Sequence, residues 1–141
     1  MFYTLPIELQ DLIILYTNDF HLAILFKNSY AIKNLYNPKI HNINWASKYG
    51  YLEVVQYLNS IGKTCTKDAM NSASRNGHLE VVKYLHSIGK TCTEYAMDYA
   101  SENGHLEVVQ YLHSIGKTCT KDAMNSASQG GHLEVVQYLN S

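Results

Sequence analysis

The chain has 141 residues, a net charge of −1 and only 16% charged residues. That length supports one continuous core, and the charge leaves no basic stripe for phosphates, which excludes nucleic acid as a main partner. Three cysteines, an odd number, speak against a disulfide framework and for reduced, buried thiols in a cytosolic protein.

Residues 1–38 do not repeat. Leu5-Pro6-Ile7-Glu8-Leu9 opens a helix, with Pro6 near its first turn, where the missing donor costs nothing. Leu9, Leu12, Ile13 and Tyr16 continue an apolar stripe. Asp19 is placed to cap a second helix, Phe20 to Phe26, and a third is expected from Tyr30 to Tyr36. Glu8, Asp11 and Asp19 interrupt the apolar start and no Lys or Arg precedes Lys27, so it reads as neither signal peptide nor membrane span. Its expected role is a helical cap on the first repeat.

Beyond Pro38 the chain repeats every 27 residues. Gly-His-Leu-Glu-Val-Val starts at Gly77, Gly104 and Gly131, and Gly50-Tyr51-Leu52-Glu53-Val54-Val55 is the same block with one change. The units are 39–65, 66–92, 93–119 and a shortened 120–141. In the second, Thr66 or Asp68 is the expected N-cap of a helix through Asn76, with Ala69, Met70 and Ala73 on its apolar side. Gly77 ends it. A second helix is expected from His78 to Ile88, with Leu79, Val81, Val82, Leu85 and Ile88 on one broad apolar face. Helices this short need the stack for stability, so the unit is a helix–turn–helix layer. Cys65, Cys92 and Cys119 lie one per unit. Stacked elements about 8–10 Å apart hold them beyond the ~7 Å Cα reach of a disulfide.

Three tempting sites fail on chemistry. Gly62-Lys63-Thr64 and its copies lack the upstream glycine of a phosphate loop, because Tyr57, Tyr84 and Tyr111 stand there. His78, His105 and His132 have no ligand-spaced companions, so no metal or other cofactor is expected; each histidine is read as bonding backbone at the inter-helix turn. His86 and His113 read as solvent-facing. No nucleophile–base pair stands out, so neither enzyme activity nor a small-molecule substrate is expected.

Comparison of the units locates a candidate surface. At about 100° per residue, Asp68, Asn71, Ser72 and Arg75 share one arc, opposite Ala69, Met70 and Ala73. The matching positions are His41, Asn44, Trp45 and Lys48, then Tyr95, Asp98, Tyr99 and Glu102, then Asp122, Asn125, Ser126 and Gln129. Most variation falls on this arc, while the packed face stays constant. It is the predicted partner-binding surface, with Trp45, Tyr95 and Tyr99 as aromatic anchors. Trp45 could equally pack under the N-terminal segment.

The run Ala73-Ser74-Arg75-Asn76-Gly77-His78-Leu79-Glu80-Val81-Val82-Lys83-Tyr84-Leu85 resembles the core motif of ankyrin repeats, and Gly89-Lys90-Thr91-Cys92-Thr93 resembles the segment that follows it. The likeness runs from about Ile43 to the end, in phase four times. It implies a protein-interaction scaffold whose first helices line a concave side. An ankyrin unit has about 33 residues; the shortfall falls where ankyrins carry a projecting β-hairpin finger. Asp68-Ala69-Met70-Asn71 replaces the Thr-Pro-Leu-His tetrad, so the hydrogen bonding of that tetrad is not carried over. The expected fold is an all-α, ankyrin-like solenoid without fingers.

Leu5, Pro6, Glu8, Leu9, Ile13 and Tyr16 resemble the start of an F-box, and with a two-residue deletion near Asn18 so do Asp19, Phe20, Leu25, Phe26 and Tyr30. That resemblance implies docking of Leu5, Pro6, Leu9 and Ile13 on a Skp-type adaptor of cullin–RING ubiquitin ligases. The combination is similar to ankyrin families of giant amoeba viruses, which implies a viral protein acting in host cytoplasm. The last unit stops at Ser141 without a capping unit, so a longer array or another chain is expected to cover that end.

Overall fold

The computed structural model describes residues 19–25, 27, 32, 35–37 and 41–141. Among these, every regular element is a helix. Helix α1, Phe20–Leu25, is followed by pairs: α2 (Ile43–Lys48) with α3 (Leu52–Ser60), α4 (Lys67–Arg75) with α5 (Leu79–Ser87), α6 (Tyr95–Glu102) with α7 (Leu106–Ser114), and α8 (Asp122–Gln129) with α9 (Leu133–Leu139). First helices α2, α4, α6 and α8 stack in one layer, and second helices α3, α5, α7 and α9 in another. This is the predicted all-α ankyrin-like solenoid, with blunt loops in place of fingers.

Local chemistry explains the boundaries. Thr66 is the N-cap of α4, its hydroxyl accepting from the Asp68 amide at 3.2 Å. Asp19 performs that service for α1, accepting from the Leu22 amide at 3.1 Å. Gly77, at φ +75°, closes α4 in a Schellman turn: the His78 amide donates to the Ala73 carbonyl (2.9 Å) and the Gly77 amide to that of Ser74 (3.2 Å). A Cβ on Gly77 would also lie 2.6 Å from Nδ1 of His105, so both conformation and contact demand glycine.

The core is built from repeated small and branched residues. Ala69, Met70 and Ala73 are fully buried on α4, as are Val82 and Leu85 on α5. Alanines let first helices approach closely, and each second helix contributes its Val-Val-Leu set. Two buried serines of this layer satisfy themselves along the helix: the Ser74 hydroxyl donates to the Met70 carbonyl and that of Ser101 to the Met97 carbonyl, both at 2.7 Å. All three cysteines are free thiols. Cys92 is buried, but Cys65 and Cys119 are only half-buried, less than predicted. Burial raises all three thiol pKa values, which disfavours the reactive thiolate.

At the other end α1 packs on α3, burying Phe20, Ala23 and Ile24. Ile32 and Leu35 are helical, and with Tyr36 they pack against the same core. The predicted first N-terminal helix, with Leu5, Pro6, Leu9 and Ile13, lies outside the described residues.

Candidate functional site

The outward arc of α4 and α6 forms a cleft of about 200 Å³ lined by Asp68, Asn71, Ser72, Arg75, Tyr95 and Tyr99. Tyr95 and Tyr99 stand one helical turn apart. Their rings stack at 5.9 Å between centroids, and Tyr95 is 52% exposed. The Arg75 guanidinium lies 4.9 Å from the centre of the Tyr99 ring, a cation–π contact across the two repeats. Asp68, Arg75, Glu102 and Asp122 are exposed; Ser72 and Ser126 are half-buried.

Three members of the arc have internal work. The Asn71 side chain donates to the Thr93 hydroxyl (3.0 Å) and accepts from the Thr93 amide (3.1 Å). Asn44 clamps Thr66 in the same way, at 3.0 and 3.3 Å. Asp98 keeps half of the clamp, accepting from the Thr120 amide at 2.7 Å. Each tie holds a first helix to the loop entering the next one. Asn125 is exposed and has no such tie among the described residues.

Trp45 is half-buried amid rings, with His41 at 4.9 Å, Tyr51 at 5.3 Å and Tyr49 at 5.9 Å. Phe20 stacks on His41 at 4.4 Å, which continues the cluster into α1. The structure therefore places Trp45 at the junction with the N-terminal segment, away from the Tyr95 cleft. Beside it, Lys48 is exposed, its ammonium 5.5 Å from the centre of the Tyr49 ring.

Further ties between repeats escape a reading confined to single units. His78 Nε2 lies 3.0 Å from the Lys48 carbonyl of the preceding repeat; a carbonyl only accepts, so Nε2 carries the proton. The predicted backbone bond is present, but it joins two layers instead of closing one turn. His105 makes the equivalent bond at Arg75, and burial lowers its pKa, with smaller contributions from His78 and His132. His86 and His113, predicted to face solvent, are exposed yet pair through Nδ1 with the hydroxyls of Tyr111 (2.9 Å) and Tyr138 (2.7 Å) in the next repeat. Asn59 donates to the Tyr84 hydroxyl at 3.1 Å in the same register. The signal was present in sequence as pairs separated by 22, 25 and 30 residues, but only against the period of the array. The lysine of the Gly-Lys-Thr loop is structural too: Lys117 Nζ donates to the Thr91 hydroxyl at 2.7 Å.

Among the described residues, no three His, Cys, Asp or Glu side chains gather as a metal site requires, and no helix is long and apolar enough to cross a membrane. What the surface offers is a ridged face with an open aromatic cleft.

The description "Ankyrin repeats (3 copies)" matches residues 20–122 and again 70–141. The chain belongs to the ankyrin-repeat family. It is also 46% identical, over 67 residues, to a putative ankyrin repeat protein of Acanthamoeba polyphaga mimivirus. That match covers 48% of this chain and 13% of the viral protein, so the chain spans a small part of its relative's length. Ankyrin repeats are non-catalytic scaffolds that generally mediate protein–protein interaction.

Proposed function

We propose that this ankyrin array binds a protein partner with the outward face of its first helices, which we take to be its concave side. The supporting observation is the Tyr95–Tyr99 pair: two stacked rings, one half exposed, lining an open cleft on the face that varies between repeats. Exposed, rigid aromatics supply contact area at low entropic cost. The contact surface extends along the arc from Lys48 past Asp68, Ser72 and Arg75 to Glu102, Asp122 and Ser126. Trp45, Asn71, Asp98 and Asn125 border it. No catalysis or cofactor enters this reading. Its similarity to a mimivirus protein supports a viral source, and action in host cytoplasm is part of the same proposal.

The test is capture of a partner from a eukaryotic extract by the full chain, followed by affinity measurement. Tyr95→Ala with Tyr99→Ala weakens that partner at least about tenfold, ~1.4 kcal/mol. Tyr95→Ala alone, far from the core, is the control for folding. Unchanged affinity in both variants refutes the reading.

A second role rests on the F-box resemblance of residues 5–30: docking on a Skp-type adaptor, which would make the array a substrate receptor for ubiquitin ligation. Purified adaptor binds the chain, and Leu9→Asp with Ile13→Asp abolishes binding. Absence of binding, or binding that survives both changes, rejects this role.

A further inference from the structure

We infer that the segment gripped at the Tyr95 cleft is basic, carrying arginine or lysine side chains that stack on Tyr95. This deepens the proposed groove reading and rests on it. The 27-residue period puts Asp68, Tyr95 and Asp122 at one position of successive first helices. Tyr95 is therefore flanked along the array by a carboxylate on each side. Asp68 lines the same cleft as Tyr95 and stays exposed; its carboxylate accepts only a 3.2 Å bond from the Thr66 hydroxyl. Glu102, at the end of α6, adds a further exposed carboxylate. Among the described residues the ion pairs are His21–Glu53 and Lys83–Glu80, so Asp68, Glu102 and Asp122 on this face make none.

The cations nearby do not cancel them all. The Arg75 guanidinium lies over the Tyr99 ring and keeps its charge, which offsets one of the three carboxylates. Lys67 lines a different cleft, on the loop edge with Cys92, Thr93 and Glu94, and Lys121 is its counterpart two periods later. The Arg75–Tyr99 contact also shows the chemistry at work: this tyrosine pair already holds one guanidinium, and the half-exposed Tyr95 ring leaves room for a second. Aromatic faces attract cations, and a guanidinium adds planar stacking and bidentate bonding to a carboxylate. An acidic segment would instead face unpaired aspartates on either side of the ring.

The test titrates the isotope-labelled full chain, observed by amide NMR, with equal-length peptides alternating glycine with arginine, glutamine or glutamate. The arginine peptide binds at least about tenfold more tightly than the glutamine peptide, shifting the amides of Tyr95, Tyr99 and Asp122. Asp68→Asn with Asp122→Asn removes that advantage, whereas Glu107→Gln with Glu134→Gln, on the second helices, leaves it intact. Equal binding of the glutamine or glutamate peptide at Tyr95 overturns the basic partner and leaves the groove standing. Arginine-peptide shifts confined to Glu107 and Glu134, or an advantage that survives the aspartate changes, also overturn it. Failure of the groove itself shows separately, as partner capture that persists without Tyr95 and Tyr99.

Discussion

The third and fourth repeats carry the same side chains on their packed faces, yet they differ in what they bury. Val109 and Leu112 on α7 are fully enclosed, while their copies Val136 and Leu139 on α9 are half-buried. Met97 on α6 is enclosed and Met124 on α8 is not; Ser101 is buried and Ser128 exposed. Leu133 is 65% exposed where Leu106 is half-buried. The side chains are the same; the neighbour is different. Burial here belongs to the interface between repeats, and each repeat completes its core with the next. The same contrast governs polar ties, since Asn71 clamps Thr93 while Asn125 clamps nothing described.

The largest expected effect sharpens that contrast in the core. Leu112→Ala leaves a cavity between layers and destabilises the chain by about 2–5 kcal/mol. Leu139→Ala, half-buried already, costs less than half as much. Urea unfolding followed by circular dichroism compares the two, and equal losses would break the neighbour argument. Next, Asn71→Ala removes two inter-repeat hydrogen bonds, worth about 1 kcal/mol each, while Asn125→Ala leaves the unfolding free energy within about 0.5 kcal/mol of the parent. Smallest is a pH effect. Burial holds the His105 pKa below its ordinary 6.5. The folded chain then binds fewer protons than the unfolded one, so stability is complete above pH 6.5 and declines as pH falls from there toward the folded value. Urea midpoints at neutral and mildly acidic pH show the slope, and His105→Gln flattens it. His41, lowered for the same reason of burial, leaves a residual slope of the same sign.

Much of the arc was legible from sequence, because comparison of the units isolates positions that do not pack. Tyr95, Tyr99, Asp68, Ser72 and Arg75 do meet in one cleft. Trp45 was open between two readings, and the ring cluster around it settles where it packs: against His41, Tyr49 and Tyr51. Asn71 and Asp98 looked like free polar positions. Their clamps join residues 22 apart, a separation that no helical period marks.

Sequence alone determined the unit. Helix limits, glycine terminators and the apolar Val-Val-Leu face follow from short-range rules, namely capping chemistry, φ preference and a 3.6-residue turn, which act within a single repeat. The tertiary structure decided which copy of each leucine is dry, which amide faces which threonine, and where Arg75 comes to lie over Tyr99. Those outcomes depend on the spacing and rotation between layers, which arise only when one repeat packs on another.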